Sequence, residues 1–436
     1  MQTRTTTLIR MGAIAALAGY GAAVGAAGFA LSEQSASGLG VAYAGQAAAA
    51  QDATTVFANP AGMSFLPGPQ VVLGVAAIDL SAKFSSNGSS IPGLATTTGS
   101  QPGGNGGNAG GVVPVANFYA TAPLGDRFSI GFGVNTPFGL KTEYDDTWVG
   151  RFQGIKSDLT TINYNPSVAY KVTDTISIGA GVSYQFLQID LTNAIATPLG
   201  EGTTELTGQD GAWGWNLGAM FQVSPDMRIG ASYRSRLDYT IKGSVNTALN
   251  STGTPIASGT FNTSAEVTLP DMFSLSVMQK FGDKWDMLGD ITFTHWDVLQ
   301  QINIVNTANN ATQDTLALNF KNAWRLSLGL DYHHTESWTF KGGVAWDQSP
   351  VQDQYRTVRL PDNDRYWFAL GATYRPSKAL AFDVGYAYIW FPTTTIDSTH
   401  LQPGLPATGP FGGTSTVNGE YKNFANILAF QVSYTF

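Results

Sequence analysis

Cysteine is absent from the 436-residue sequence, and charged residues make up only 12% of it. Without cysteine there is no disulfide scaffold and no thiolate metal site. A chain exported through an oxidising compartment gains from that absence, since stray thiols mispair there. The charge content is about half that of soluble domains. The net charge is −8 with no basic cluster, which argues against a nucleic-acid partner. Long apolar runs are missing too. Past the first thirty or so residues nothing approaches the roughly 18 apolar residues that a membrane helix needs. Histidine occurs only at His295, His333, His334 and His400. His333 and His334 fall at an expected turn, where neighbouring side chains diverge, so no metal site is expected. No G-x-S-x-G, H-E-x-x-H or phosphate-binding loop is present, so no catalytic residue and no cofactor is assigned.

Against these absences stand 12% aromatic residues and 50 glycines. Beyond about residue 70 the apolar residues recur with period two. Ile176, Ile178, Ala180, Val182, Tyr184 and Phe186 alternate with Ser177, Gly179, Gly181, Ser183 and Gln185. Trp324, Leu326, Leu328, Leu330 and Tyr332 alternate with Arg325, Ser327, Gly329, Asp331 and His333. Successive side chains on a strand face opposite ways, so each segment has one apolar and one small or polar side. A soluble sandwich alternates as well. Here the strands are longer, and aromatics gather near their ends, as at the girdles of a transmembrane barrel.

Short polar turns fall at 123–126, 171–174, 224–227, 281–284, 334–336 and 375–378. Longer stretches alternate with them, including Ser81 to Gly111, Thr192 to Gly211, Ser244 to Ser264 and Pro392 to Gly419. Barrels of the outer membrane have short periplasmic turns and long external loops. Six turns and seven loops predict an all-β, antiparallel transmembrane barrel of about 14 strands over residues 70–436. The last strand stops on Phe436. Such an ending resembles the signal read by the barrel-assembly machinery, an expected partner. At the other end Arg4 and Arg10 precede a small apolar stretch, with Val24 and Ala26 before a cleavage point, so residues 1–26 read as a signal peptide.

Residues 27–69 do not alternate and are rich in Ala, Gly and Ser. Such a segment cannot span a membrane, and it has too little apolar mass to fold alone. It reads either as a plug packed inside the barrel or as loose periplasmic chain. Its motifs are Ala27-Gly28-Phe29-Ala30-Leu31-Ser32-Glu33-Gln34, Ser37-Gly38-Leu39-Gly40, Asp52-Ala53 and Asn59-Pro60-Ala61. Pro137-Phe138-Gly139-Leu140, Asn165-Pro166-Ser167, Asp347-Gln348-Ser349-Pro350 and Leu360-Pro361-Asp362-Asn363-Asp364-Arg365 follow in order. Together these resemble the FadL/TodX family of outer-membrane transporters of long-chain fatty acids and hydrocarbons.

That resemblance implies a fourteen-stranded barrel, an N-terminal hatch within the lumen, and passive transport of a hydrophobic small molecule. Outer-membrane lipid and lipopolysaccharide would surround it. In the family a ligand is caught at external loops, here 192–211 and 244–264, moves to a lumen pocket, shifts the hatch and leaves sideways into the bilayer. Phe29 in the hatch motif is a ligand-binding candidate. Fatty-acid members pair the carboxylate with basic lumen residues. By alignment two such positions fall at Leu191 and near Leu316, which favours uncharged ligands. Arg151, Lys321 and Arg325 are candidate substitutes. Arg234, Arg236 and Asp238 read as sharing the polar face of one strand, as do Arg325 with Asp331 and Lys341 with Asp347. The third strand meets Asn135, Pro137, Phe138 and Gly139; proline cannot complete a ladder, and the family kinks here to open a lateral gate. A barrel enzyme and a general porin are the alternative readings.

Overall fold

A computed structural model describes residues 28–251 and 254–436, so the expected signal peptide lies outside the described residues. Among the described residues, twenty strand segments form one antiparallel sheet. In chain order they are β1 (Gln70–Ser86), β2 (Val112–Leu124), β3 (Phe128–Asn135), β4 (Gly139–Glu143), β5 (Lys156–Lys171), β6 (Ile176–Thr197) and β7 (Gly200–Ser224). Next come β8 (Met227–Arg234), β9 (Leu237–Ser251), β10 (Thr254–Leu269), β11 (Met272–Phe281), β12 (Trp285–Thr294), β13 (Gln301–Asn306) and β14 (Thr312–Ala317). The set ends with β15 (Ala323–His333), β16 (Trp338–Asp347), β17 (Arg365–Tyr374), β18 (Leu380–Trp390), β19 (Thr394–Leu401) and β20 (Thr414–Thr435). Several spans are interrupted, so the segments make a closed barrel of 14 strands. Closure comes from β1 and β20, which pair from Gln70↔Thr435 to Ser86↔Gly419. Closure removes the sheet edge that a lipid bilayer cannot satisfy.

The usual arrangement of apolar residues inside and polar residues outside is inverted. In β15 the apolar Trp324, Leu326, Leu328 and Leu330 are exposed, while Arg325, Ser327 and Asp331 are buried. In β20 Phe430 and Val432 face out, and Gln431 and Ser433 face in. This fits a hydrocarbon solvent around the ring and a polar interior. Aromatic pairs form two belts on the outside. Trp285 meets Tyr332 at 4.4 Å and Trp338 meets Tyr374 at 4.6 Å beside the short turns. Phe293 meets Trp324 at 4.8 Å and Tyr366 meets Trp390 at 5.4 Å near the other end. Eight residue steps separate Trp285 from Phe293, roughly 26 Å along a tilted strand, the order of the apolar band of such barrels.

All six expected short turns join strands at the expected places. The expected loops 192–211 and 244–264 differ. β6 and β7 continue as a hairpin to Thr197↔Gly200, and β9 and β10 pair out to Ser251↔Thr254. Above the membrane the outward face of a strand meets water, so Thr, Asn, Gln and Gly stand there and mask the strand pattern. Part of the stretch 392–419 is likewise strand, as β19 pairs with β20. The expected shared face of Arg234, Arg236 and Asp238 is also corrected. The chain breaks between β8 and β9 at Ser235 and Arg236, and the faces exchange. Arg234 points in, stacking on Phe57 at 4.1 Å, whereas Arg236 and Asp238 are exposed opposite buried Leu237, Tyr239 and Ile241.

Residues 28–69 fold into α1 (Ala36–Leu39), α2 (Gln46–Ala49), α3 (Thr55–Ala58) and a 3-10 turn at Pro60–Phe65. A fourth short helix, α4 (Gly93–Thr97), lies in the first outer connection. The N-terminal segment is bonded to strands all round the ring. Tyr119 of β2 donates to the Gln34 carbonyl, and Ser177 of β6 to that of Ala61. Ser276 of β11 accepts from the Ala47 amide, Arg325 of β15 donates to the Ala42 carbonyl, and Gln431 of β20 accepts from the Ala36 amide. A segment held from all sides of a closed ring lies inside it. Strand glycines admit it: a Cβ on Gly230 would stand 1.8 Å from the Ala47 oxygen, and one on Gly343 2.3 Å from the Val41 carbonyl carbon.

Candidate functional site

The N-terminal segment is tied down by buried polar groups. Asn59 is fully buried; its amide donates to the carbonyls of Ala47 (2.7 Å), Ala219 (3.1 Å) and Ala231 (3.3 Å), and its oxygen accepts from the Ala61 amide. Asn59 thus fastens the segment to itself and to the adjoining strands β7 and β8. Pro60 follows where its missing N–H is harmless, at the start of the 3-10 turn. Lys341 donates to Gln51 at 2.7 Å and lies 3.6 Å from Asp331. Arg365 pairs with Asp362 at 2.6 Å and Asp347 at 3.7 Å. These charges satisfy one another in a confined space. Arg325 belongs to this framework. It holds the left-handed turn at Ala42 and Tyr43 through the Ala42 carbonyl, at 2.7 Å.

The barrel wall is broken at the third span. β2 pairs with β3 only from Phe118↔Val134 to Leu124↔Phe128. The outer half of β2, residues 112–117, pairs with β1 on its other side, while β4 pairs with β5. Between β3 and β4 the chain turns inward at Thr136, Pro137 and Phe138, and the N-terminal segment takes up its backbone groups. Gln34 donates to the Thr136 carbonyl at 2.9 Å, Leu31 N–H donates to the Pro137 carbonyl at 2.7 Å, and Gly139 N–H donates to the Phe29 carbonyl at 2.9 Å. The Phe138 amide finds Thr161 Oγ1 at 3.1 Å. Asn135 is buried, donating to Tyr119 and accepting from Asn163. Backbone at membrane depth must be satisfied within the protein, and here the satisfying groups lie on the N-terminal segment and on Thr161 of β5.

Above that segment, and below the outer hairpins, lies an apolar cavity of about 110 Å³. Leu140, Leu159, Ile189, Ile241, Ile302 and Leu318 are among its walls, and Phe29 lines it too. Phe29 packs edge-on against Trp296 at 4.9 Å and Phe138 at 6.1 Å. One side chain therefore borders the cavity while its own carbonyl is bonded across the wall break. Leu191 and Leu316 both line this cavity and an adjoining one of about 180 Å³.

The other basic candidates stand elsewhere. Arg151 forms a two-pronged pair with Glu201, at 2.7 and 2.9 Å, and donates to the carbonyls of Gln101, Pro102 and Trp148. It locks outer loops together. Lys321 is exposed, and Arg325 supports the N-terminal segment. Arg359 was missed by sequence reasoning. It lines both cavities, and it is the single charged residue among the described residues lining the first. It sits in a connection with no strand period, and no sequence signal marks it.

A closed barrel with a lipid-facing belt, a packed N-terminal segment and an apolar cavity defines an outer-membrane β-barrel protein with a closed-off, largely apolar interior chamber. Residues 17–436 match the model of the outer membrane protein transport protein family (OMPP1/FadL/TodX). The chain belongs to that family. It is 35% identical over 399 residues to Outer membrane protein P1 of Haemophilus influenzae, covering 84% of this chain and 86% of that one. It is 31% identical over 407 residues to the long-chain fatty acid transport protein of Escherichia coli K12, covering 83% and 87%. In fold it is similar to a Pseudomonas aeruginosa FadL homologue, with a TM-score of 0.83, 23% identity and coverage of 94% of this chain and 100% of that one. The Pseudomonas putida toluene transporter TodX is a more distant likeness, with a TM-score of 0.64, 15% identity and coverage of 88% and 94%.

Proposed function

We propose that this protein carries hydrophobic small molecules passively across the outer membrane. One observation supports the reading most: Phe29 borders the apolar cavity, and its carbonyl accepts from Gly139 in the wall break. A ligand that displaces Phe29 acts directly on the bond that seals the wall. Residues 28–69 then serve as a hatch, and the stretch from Asn135 through Pro137 and Phe138 to Gly139 as a lateral gate. Capture needs no energy source, since burying each CH₂ is worth about 0.8 kcal/mol. The relatives named for fatty acid and toluene transport support the same reading. An open porin does not fit a lumen occupied by a hydrogen-bonded segment. Residues 1–26 would be a secretion signal, and Phe436 the contact for the barrel-assembly machinery.

The test is uptake. Cells lacking their own hydrophobe transporters and expressing this chain should take up a labelled fatty acid or toluene faster than control cells, while the purified protein conducts few ions in planar bilayers. Uptake no faster than the control, or a large steady ion conductance, would overturn the proposal.

A further inference from the structure

Two lysines face each other on the outside of the barrel where the chain closes. Lys83 of β1 and Lys422 of β20 are register partners in the closing ladder. Both are exposed, while the flanking Ala82, Phe84, Tyr421 and Asn423 are buried, so both ammonium groups stand on the outer face of the wall. Directly opposite side chains lie roughly 5 Å apart at Cβ, and like charges there destabilise the pairing. Neither lysine has an ion pair among the described residues; Glu420, two positions along the same face of β20, pairs with neither. Across β4, β5 and β6 the outward charges are matched instead. Lys141 faces Asp158 and Glu143 faces Lys156. Asp158 also faces Asp190, and there Lys156 relieves the repulsion by pairing with Asp190.

The depth of the lysine pair points to what completes it. On β20 the outward Phe430, Leu428 and Phe424 are exposed, interrupted by Asn426, which accepts from Tyr386. Phe424 faces Trp390 of the outer aromatic belt. Lys422 is the next outward residue beyond Phe424, about 7 Å further along the strand. On a tilted strand that step rises about 5 Å, which is within the headgroup layer bordering the hydrocarbon core. On its other side Lys83 bridges to the exposed Asn108. The side-chain oxygen of Asn108 accepts from the Ala82 amide, which leaves its NH₂ to donate outward. Two ammonium groups and an amide side by side suit a phosphate, which accepts several donors at once.

We propose that Lys83 and Lys422 dock one lipopolysaccharide molecule on the barrel exterior by gripping a phosphate of its lipid A headgroup, with the acyl chains lying against Phe424, Leu428 and Phe430. The outer leaflet presents such phosphates at this depth, and an anion between the two lysines turns a repulsive pair into a bridge. The site lies outside the lumen and is independent of what the lumen carries.

The experiment is native mass spectrometry of the full-length protein in detergent, titrated with rough lipopolysaccharide in buffer free of divalent cations. Wild type should hold one lipopolysaccharide about thirtyfold more tightly than a double variant carrying Lys83→Gln and Lys422→Gln, the expected loss of two basic contacts to an anionic headgroup. The difference should vanish with lipopolysaccharide stripped of its phosphates, and phosphatidylglycerol should not reproduce it. Thermal unfolding gives a second readout. Without lipopolysaccharide the double variant should melt at or above wild type, since the repulsion is gone; with lipopolysaccharide wild type should melt higher. A variant that melts below wild type in both conditions would show that the lysines matter only for packing, and would overturn the proposal. Equal lipopolysaccharide affinity in wild type and variant, a difference that survives removal of the phosphates, or the same difference with phosphatidylglycerol would overturn it too.

Discussion

Replacing Asn59 by alanine should release the N-terminal segment without unfolding the barrel. The side chain is fully buried and satisfies the Ala47 carbonyl, the Ala61 amide and the adjoining Ala219 and Ala231 carbonyls. The last two are long contacts, at 3.1 and 3.3 Å, and share one amide hydrogen, so they count as one bond. Three bonds are thus lost. At about 1 kcal/mol each the loss is about 3 kcal/mol, or a hundredfold in the packed-to-open ratio. The strand ladders are untouched, so global denaturation should scarcely move. Local measurements carry the test: amide exchange over residues 46–62 and single-channel conductance. Exchange there should accelerate about a hundredfold and open events should become frequent. Asn59→Asp keeps the acceptor for Ala61 and loses the donors, so it should open the segment as well. Exchange within about threefold of wild type would refute the reasoning.

Glu33 should make the segment pH-sensitive: burial raises its carboxyl from 4.5 to about 7, partly offset by Arg365 and Arg325. A raised value means that packing is favoured fully below the unfolded pKa and loses that support as pH rises through about 7, a change of about 3 kcal/mol. Conductance bursts should therefore increase from acidic to mildly alkaline buffer in wild type and stay flat in Glu33→Gln; parallel profiles would refute the assignment. Leu191→Trp and Leu316→Trp should each fill space shared by the two cavities. Exclusion of about two CH₂ groups predicts roughly tenfold weaker ligand binding with normal barrel assembly, and unchanged titration curves would place the ligand elsewhere.

The barrel could be read from sequence because lipid leaves little freedom. Every outward residue between the aromatic belts must be apolar, so Trp324 to Leu330 alternate without a lapse, and periplasmic turns such as Ser224-Pro225-Asp226-Met227 are short and polar. The rule stops at the membrane surface. In β6, β7, β9 and β10 the outward residues meet water, and long regular hairpins looked like loops. The exchange of faces at Ser235 and Arg236 was equally hidden, because a one-residue irregularity inverts the pattern and leaves the composition unchanged. Inside the barrel the segment's path depends on contacts with distant strands, such as Asn59 with Ala219 and Ala231, which no local pattern encodes. The site divides the same way. Leu191, Leu316 and Phe29 line one cavity, Arg151, Lys321 and Arg325 lie elsewhere, and Arg359, from a connection without strand period, lines that cavity too.

The central claim is that the hatch must part from the wall break for a ligand to leave. Ala30 and Phe138 form an isolated antiparallel bridge between the two, at a spacing that suits a disulfide. The chain has no cysteine, so Ala30→Cys with Phe138→Cys introduces a single defined pair. The decisive measurement is uptake of a labelled hydrophobe by cells carrying this double variant, oxidised and then reduced, with ligand binding followed in parallel. The account predicts that uptake stops while the bond is formed and returns on reduction, with binding retained throughout. Uptake at the reduced rate with the crosslink complete would show that the ligand leaves without parting these residues.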